Sequence, residues 1–599
     1  IHGKAGIGKT ALIEHATKTM HDNQSLFASG KFEQYEDEKP LQAIGQIIQG
    51  LTGNLIWKEA DDLNHWKQKI IDTIGNDVGL LYELAPELQT LTGKPENIAS
   101  IKLTDAQQRL FVTIEKFAGL FMDNNKPLVL FLDDLQWADT TSFNIFLHLI
   151  TKFKSRPFLF MGAFREEEAQ NNQSLQTFIK SLEQKPQNTK SIALHPLSTM
   201  DVKELLVDTL NTSIALNDLT EVCFNRTMGN PYFLVEYLYN LHSQGQITFD
   251  FKNGRWTWDI ELIKSEPVTS NIADLISKKI QSLETTVLQA LKTASCFRSS
   301  FNDDLLVELS GLKKSQVKHA IEKANQHSLI IATEEKPLLN FIESEELIYY
   351  RFIHDKVQAS VYELMNKKEK AFIHRNIALL LKEQMEENPQ QDHLYALANH
   401  LFQATEVLDD NELMLAIEKN LEAVNKAKIS GALIQAYRFC NIGFKLLTGS
   451  KFYPKKKKLV FEYHTNLARL ASLNGNHEEM EELLGKAKTF TEDVLEEIQI
   501  HEIRTESLIA RNHQQEAVRE TLVLLGKLNI TFPEKPGGLT VLWKLLKTKR
   551  LVNKFSNEKI ASLPAMDNTV PLAAMRNMSN VISVLFRTNP TLFSLVVFK

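Results

Sequence analysis

The 599-residue sequence predicts an α/β domain at its N-terminus, followed by helical and winged-helix segments and a long α-helical repeat region. Three observations carry this. Short apolar runs bounded by turn residues crowd the first 200 positions: LFASGKF (26–32), PLVLFLDD (127–134), FLFMGAF (158–164) and SIALHPL (191–197). A glycine-rich stretch, GKAGIGKT at 3–10, opens directly into a helical pattern. From about residue 366 onward the apolar residues recur almost entirely at helical spacing.

Taken in order, residues 40–125 are mostly helical by periodicity, as in QQRLFVTIEKFAGLFM. Residues 198–245 read as helices starting at the cap signal LSTMDVKELL. QITFDFKNGRWTWDI then shows two alternating runs around Asn253-Gly254, the pattern of a β-hairpin. Residues 270–365 hold three helical patterns followed by LIIATEE and LIYYRFIHD, which suggests a winged helix. LARLASLNGNHEEMEELLGKAKTF and HEIRTESLIARNHQQEAVRETLVLLGKL each resemble a helix-turn-helix repeat of the tetratricopeptide type. The expected organisation is therefore a nucleotide-binding α/β domain at 1–197, a helical lid with a β-hairpin at 198–268, a winged helix at 269–365 and helical repeats at 366–599. Almost nothing precedes Gly3 and the chain stops inside the apolar SLVVFK, so a missing first strand and truncation at both ends are expected.

Length and composition narrow the function. A chain this long exceeds one hydrophobic core, so three to five domains are expected. The net charge of -6 argues against wholesale nucleic-acid binding, and no direct DNA binding is expected. Cys223, Cys296 and Cys440 are far apart, without a CxxC, and read as core filling in a reducing compartment. No apolar run approaches the roughly 18 residues of a membrane span, and IHGKAGIGKT is no signal peptide. The expected location is the cytoplasm. KFYPKKKKLVFEY reads as a solvated basic face. LWKLLKTKRLVNKF, after PEKPGG, is a basic amphipathic helix expected to pack on the repeats, with a membrane surface or partner helix as the alternatives.

GKAGIGKT fits the phosphate-loop pattern G-x-x-x-x-G-K-T. Gly3, Gly6 and Gly8 lack Cβ atoms, so backbone N–H groups can face phosphate oxygens, and the following helix adds its N-terminal partial charge. Lys9 is expected on the β- and γ-phosphates, and Thr10 as a Mg²⁺ ligand. PLVLFLDDLQWAD (127–139) is an apolar strand ending in two carboxylates, the form of a Walker B element, and its strand is expected beside that of the phosphate loop. Asp133 would hold Mg²⁺, while Asp134 would orient or deprotonate the attacking water. Trp137 and Asp139 are expected to serve structure.

With GKAGIGKTAL, GKFEQYEDEKPL (30–41), LFLDDLQWAD, MGAFREEE (161–168), GNPYFLVEYL (229–238), ITFDFKNGRWTWD (247–259), YRFIHDKVQASVYELM (350–365) and AKISGALIQAYRFCNIGFKLL (427–447), the chain resembles the STAND class of P-loop ATPases (signal-transduction ATPases with numerous domains). It is especially similar to members set between protein-kinase and histidine-kinase regions of large bacterial multi-sensor proteins. The resemblance implies that Arg165 senses the γ-phosphate, that Pro231 packs against adenine, and that His354 contacts the β-phosphate in a closed, ADP-bound state. Pro231 is otherwise a helix-breaking turn, Arg165 a strand-end ion-pair partner and His354 a core histidine.

The function implied is an ATP/ADP- and Mg²⁺-dependent switch of slow turnover, since the Asp-Asp pair lacks the catalytic glutamate of vigorous motors. It would regulate signalling domains outside this piece, with the helical repeats offering a surface to protein partners. No HRD-like loop or DFG occurs, so protein phosphotransfer is not expected within the chain, although the whole protein could be a protein or histidine kinase. A transcription regulator of the same class and a non-catalytic, nucleotide-bound scaffold stand as alternatives.

Overall fold

The computed structural model describes residues 1–22, 25–32, 41–56, 60–82, 84–93, 103–122, 126–184, 189–212, 216–265, 279–281, 283–297, 300–333, 348–388, 393–533, 537–556 and 569–599. Two compact units emerge: residues 1–412 with 429–432, and residues 413–428 with 433–599.

In the first unit, strands β1 (His2–Gly3), β2 (Leu26–Lys31), β3 (Leu128–Asp133), β4 (Phe158–Gly162) and β5 (Phe164–Arg165) run parallel. Every residue of β3 is buried, which explains its unbroken apolar run: helices cover both faces of a parallel sheet. The strand expected to be missing ahead of the phosphate loop is present as the two-residue β1.

Two expectations about this sheet need correction. β3 does not lie beside the phosphate-loop strand; it is flanked by β2 and β4. The segment 158–165 stands between them, with Ala163 N–H donating to Leu132 O at 2.8 Å and Phe164 N–H donating to Ile1 O at 3.1 Å. Strand order depends on where the crossover helices pack, and no residue pattern in a single strand encodes it. SIALHPL is also not a strand of its own length. It makes one parallel bridge, His2 to Ala193, beside the two-residue β1.

Beyond the sheet, helices Thr199–Leu210, Leu216–Thr227 and Pro231–Ser243 lead to the antiparallel hairpin β6 (Ile247–Asp250) and β7 (Arg255–Trp258). The hairpin loop spans 251–254, with Gly254 at φ 63° and Asp250 accepting from the N–H groups of Lys252 and Asn253. Helices Thr285–Ser295, Asp303–Ser310 and Lys314–Gln326 precede the antiparallel pair β8 (Ile330–Thr333) and β9 (Tyr349–Phe352), the three-helix-and-wing order the sequence predicts. Helix Asp355–Glu363 follows β9 directly.

The second unit is helical throughout its described residues. Helices Lys457–Leu473 and His477–Lys488 are joined at Gly475 (φ 82°), and Val494–Ala510 and Gln514–Lys527 at Asn512 (φ 63°). A left-handed residue lets each chain reverse tightly, so consecutive helices lie antiparallel as in tetratricopeptide repeats. Lys455–Lys458 are exposed, as expected of a solvated basic face. Helix Gly538–Val552 meets helix Pro590–Val597, as expected of a helix packed on the repeats, yet none of its residues is buried. Apolar residues lie on more than one of its faces, and a single helical neighbour can cover only one.

Candidate functional site

The phosphate loop leaves β1 and ends at helix Lys9–Asp22. Gly3 lies against Leu194, whose carbonyl oxygen would be 2.8 Å from a Cβ at Gly3. Gly6 has φ +73° and faces Tyr232, whose Cβ would be 2.8 Å from a Cβ at Gly6. Gly8 sits at φ +99° just before the helix. Loop curvature and close packing together therefore demand glycine at Gly6.

Lys9 is buried and its ammonium donates to the carbonyls of Gly3 at 3.2 Å and Lys4 at 3.0 Å. Burial pushes it below the usual lysine value, and the Arg165 charge adds to that. Thr10 Oγ1 donates to Asp133 Oδ2 at 2.9 Å across 123 positions. The hydroxyl and carboxylate expected to share Mg²⁺ are thus side by side. Burial, then the neighbouring Asp134, pushes Asp133 above the usual carboxylate range, against the opposing hydrogen bonds from Thr10 and the Asp134 N–H. A desolvated carboxylate beside a second acid and a hydroxyl is a donor set of hard oxygens suited to Mg²⁺.

Asp134 adopts φ 55° and ψ 43°, a left-handed conformation uncommon for a side chain with a Cβ. It turns the chain sharply after β3 and keeps the carboxylate buried. Its Oδ1 accepts from Gln136 Nε2 at 2.7 Å and lies 3.3 Å from Arg165 Nε; Lys31 Nζ is 3.6 Å from Oδ2. Trp137 lies under the Arg165 guanidinium at 4.6 Å, and Asp139 caps helix Thr140–Lys152 by accepting from Ser142 N–H.

Arg165 closes β5 and is buried. Besides Asp134, its guanidinium meets Glu168 at 3.2 Å and Asp355 at 2.9 Å. Burial works against its charge, but Asp134, Glu168 and Asp355 outweigh burial and hold it protonated. Asp355 is correspondingly held below the usual carboxylate range: Lys31 and Arg165 overcome the effect of burial. Lys31 Nζ approaches Asp355 at 3.8 Å as well, so Lys31 and Arg165 form one cluster with Asp134, Glu168 and Asp355 at the end of the sheet.

Pro231 is the first residue of helix Pro231–Ser243. Its neighbours make the contact with the loop: Asn230 Nδ2 donates to Ala5 O at 2.9 Å, and Tyr232 N–H donates to Gly6 O at 3.2 Å. His354 caps helix Asp355–Glu363, Nδ1 accepting from Lys356 N–H at 3.1 Å. Its ring packs on Tyr232 with centroids 4.9 Å apart. Burial holds it below the usual histidine value.

Asn230 and Tyr232 meet the phosphate loop directly, Asp133 meets Thr10 just beyond it, and His354 reaches it through Tyr232. Sequence reasoning missed Lys31, Asn230, Tyr232, Gln136 and Asp355 as participants. Each stands next to or inside a quoted motif, and the signal for them was adjacency alone.

Residues 1–161 match the AAA ATPase domain family. The chain is 23% identical over 603 aligned positions to hybrid signal transduction histidine kinase G of Dictyostelium discoideum, covering 81% of this chain and 17% of that protein. It is 24% identical over 159 positions to histidine protein kinase 1 of Candida albicans, covering 24% of this chain and 6% of that one. The chain therefore spans a small part of either relative. Among solved structures, a STAND protein with a tetratricopeptide repeat sensor from Pyrococcus horikoshii aligns with TM-score 0.38 and 14% identity, covering 99% of this chain and 78% of that one. Among the described residues no helix is long and apolar enough to cross a membrane. Residues 1–161 of the chain therefore carry an AAA-type ATPase domain, and the chain is similar in sequence to part of a hybrid histidine kinase.

Proposed function

We propose that the chain is a nucleotide-dependent switch that regulates signalling domains of a longer, cytoplasmic protein or histidine kinase, with its helical repeats open to protein partners. The observation that carries the reading is the position of Arg165. One guanidinium is shared by Asp134, at the end of the Walker B strand, and Asp355, which follows the wing and adjoins His354.

Lys9, the loop N–H groups, Thr10 and Asp133 would hold the phosphates and Mg²⁺, which neutralises phosphate charge when bound. Asp134 is the candidate to orient the attacking water, and its salt bridge to Arg165 holds its carboxylate in place. ATP and ADP differ by one phosphoryl group of negative charge. Arg165 would turn toward that extra charge and release Asp355, whereas with ADP it would stay on Asp355. His354 and Tyr232 would then part or stay stacked with it. Only such a contact, made in one state and not the other, moves an equilibrium.

The test is to measure ATP and ADP affinities of the parent and of Asp355→Asn. A changed ADP-to-ATP affinity ratio supports the switch. Equal changes for both nucleotides would remove it, and single-turnover hydrolysis separates a working ATPase from a scaffold that only retains nucleotide.

A further inference from the structure

Helix Gly538–Val552 has no role in the nucleotide site, and its exposure is unusual. Leu539, Leu542, Trp543 and Leu546 fall at i, i+3, i+4 and i+7, hence on one face. They are 85%, 52%, 61% and 52% exposed. The opposite face is tied down, with Thr548 Oγ1 donating to Phe598 O at 3.1 Å. Over residues 538–556 the charged residues are Lys544, Lys547, Lys549, Arg550 and Lys554, with no acid among them.

We propose that this helix lies on an anionic lipid surface. At about 100° per residue, Lys547 projects to one side of the apolar stripe and Lys549 to the other, with Arg550 at its end. A stripe flanked on both sides by cations matches a plane of acidic headgroups, whereas a single acidic partner helix would be met by a row of cations on one side. Trp543 adds an amphipathic ring at the boundary, with Lys547 Nζ 5.5 Å from it. Leu and Trp on one face with Lys and Arg beside them is the composition of helices that rest in the headgroup layer. The helix has 15 residues, so it lies on the surface and does not span it.

The experiment is co-sedimentation of the whole chain with vesicles of phosphatidylcholine alone and of phosphatidylcholine mixed with phosphatidylserine. Binding to the acidic vesicles only is expected, weakened by salt because the attraction is screened. Lys547→Gln with Arg550→Gln should lower the partition coefficient about twenty-fivefold, at roughly fivefold per cation. Leu542→Ser with Trp543→Ser should abolish binding, and circular dichroism will show whether each variant keeps its helices. Should the apolar variant misfold, the charge variant still decides the matter. Folded protein that binds neither vesicle, or both equally, overturns the proposal. So does self-association that the variants abolish in the absence of vesicle binding, which would make the helix a protein interface.

Discussion

Arg165 donates to Asp355 at 2.9 Å across 190 positions of chain. The same guanidinium is 3.3 Å from Asp134, so a residue at the end of the Walker B strand and one beyond the wing share Arg165, as they also share Lys31. Asp355→Asn removes one of the anions around Arg165 and leaves Asp134 and Glu168. Because Asp355 is partly exposed, the direct loss is expected at about 1–2 kcal/mol, less than for a fully buried pair. Melting temperature should fall modestly, and a double-mutant cycle with Arg165→Lys should show coupling rather than additivity. Purely additive effects would mean that the contact does no energetic work.

Lys9→Ala removes the only long side-chain cation within the loop 3–10 that turns inward. A charge-assisted hydrogen bond to phosphate is worth about 1.5–3 kcal/mol, so nucleotide affinity should drop roughly ten- to a hundredfold. Titration with a fluorescent ATP analogue measures this, and unchanged binding would refute the phosphate-loop assignment.

The two carboxylates at the end of β3 should separate by experiment. Asp133→Asn is expected to weaken Mg²⁺-dependent binding, and Asp134→Asn to spare binding while slowing hydrolysis. Stability gives a second readout. Asp133 is raised in the fold, so its ionisation opposes folding: stability falls as pH rises from the unfolded value of 3.8 through the raised folded one. Above that window the cost is fully present. Asp133→Asn should therefore raise the melting temperature of nucleotide-free protein at neutral pH while impairing its Mg²⁺ chemistry. A variant that is both less stable and fully active contradicts the assignment.

His354 must be tested with its capping role in mind. His354→Ala loses the bond to the Lys356 N–H, a cap worth about 1 kcal/mol, together with the ring on Tyr232. His354→Asn supplies a capping oxygen in place of Nδ1 and loses only the ring. If the ring steadies the ADP state, both variants weaken ADP binding relative to ATP, and the alanine alone also lowers the melting temperature appreciably. An unchanged ADP-to-ATP ratio in both would leave His354 as a cap only.

The same histidine sets a pH dependence. Burial lowers its folded value below the ordinary 6.5, so the folded state binds fewer protons than the unfolded one. Its contribution is intact above pH 6.5 and is lost as pH falls from there through the lowered folded value. Denaturation followed over that interval should show a decline in stability that His354→Asn flattens.

Much of the chemistry was legible in the residues. GKAGIGKT could be read because glycine spacing, a lysine and a hydroxyl before a helix are local demands of phosphate binding. β3 could be read because burial on both faces imposes an apolar run, and the hairpin because Asn253-Gly254 interrupts two alternating stretches. Local physics also accounts for the turns at Gly475 and Asn512, where a left-handed residue is required or tolerated. What only the tertiary structure decided involves pairs far apart in the chain. The interposed strand 158–165, the Thr10–Asp133 contact, the packing of Asn230 and Tyr232 on the loop, and the division of Arg165 between Asp134 and Asp355 all depend on how distant segments stack. The exposure of helix Gly538–Val552 is of the same kind. An amphipathic pattern states which residues share a face, but burial of that face depends on the shape and position of whatever element packs against it.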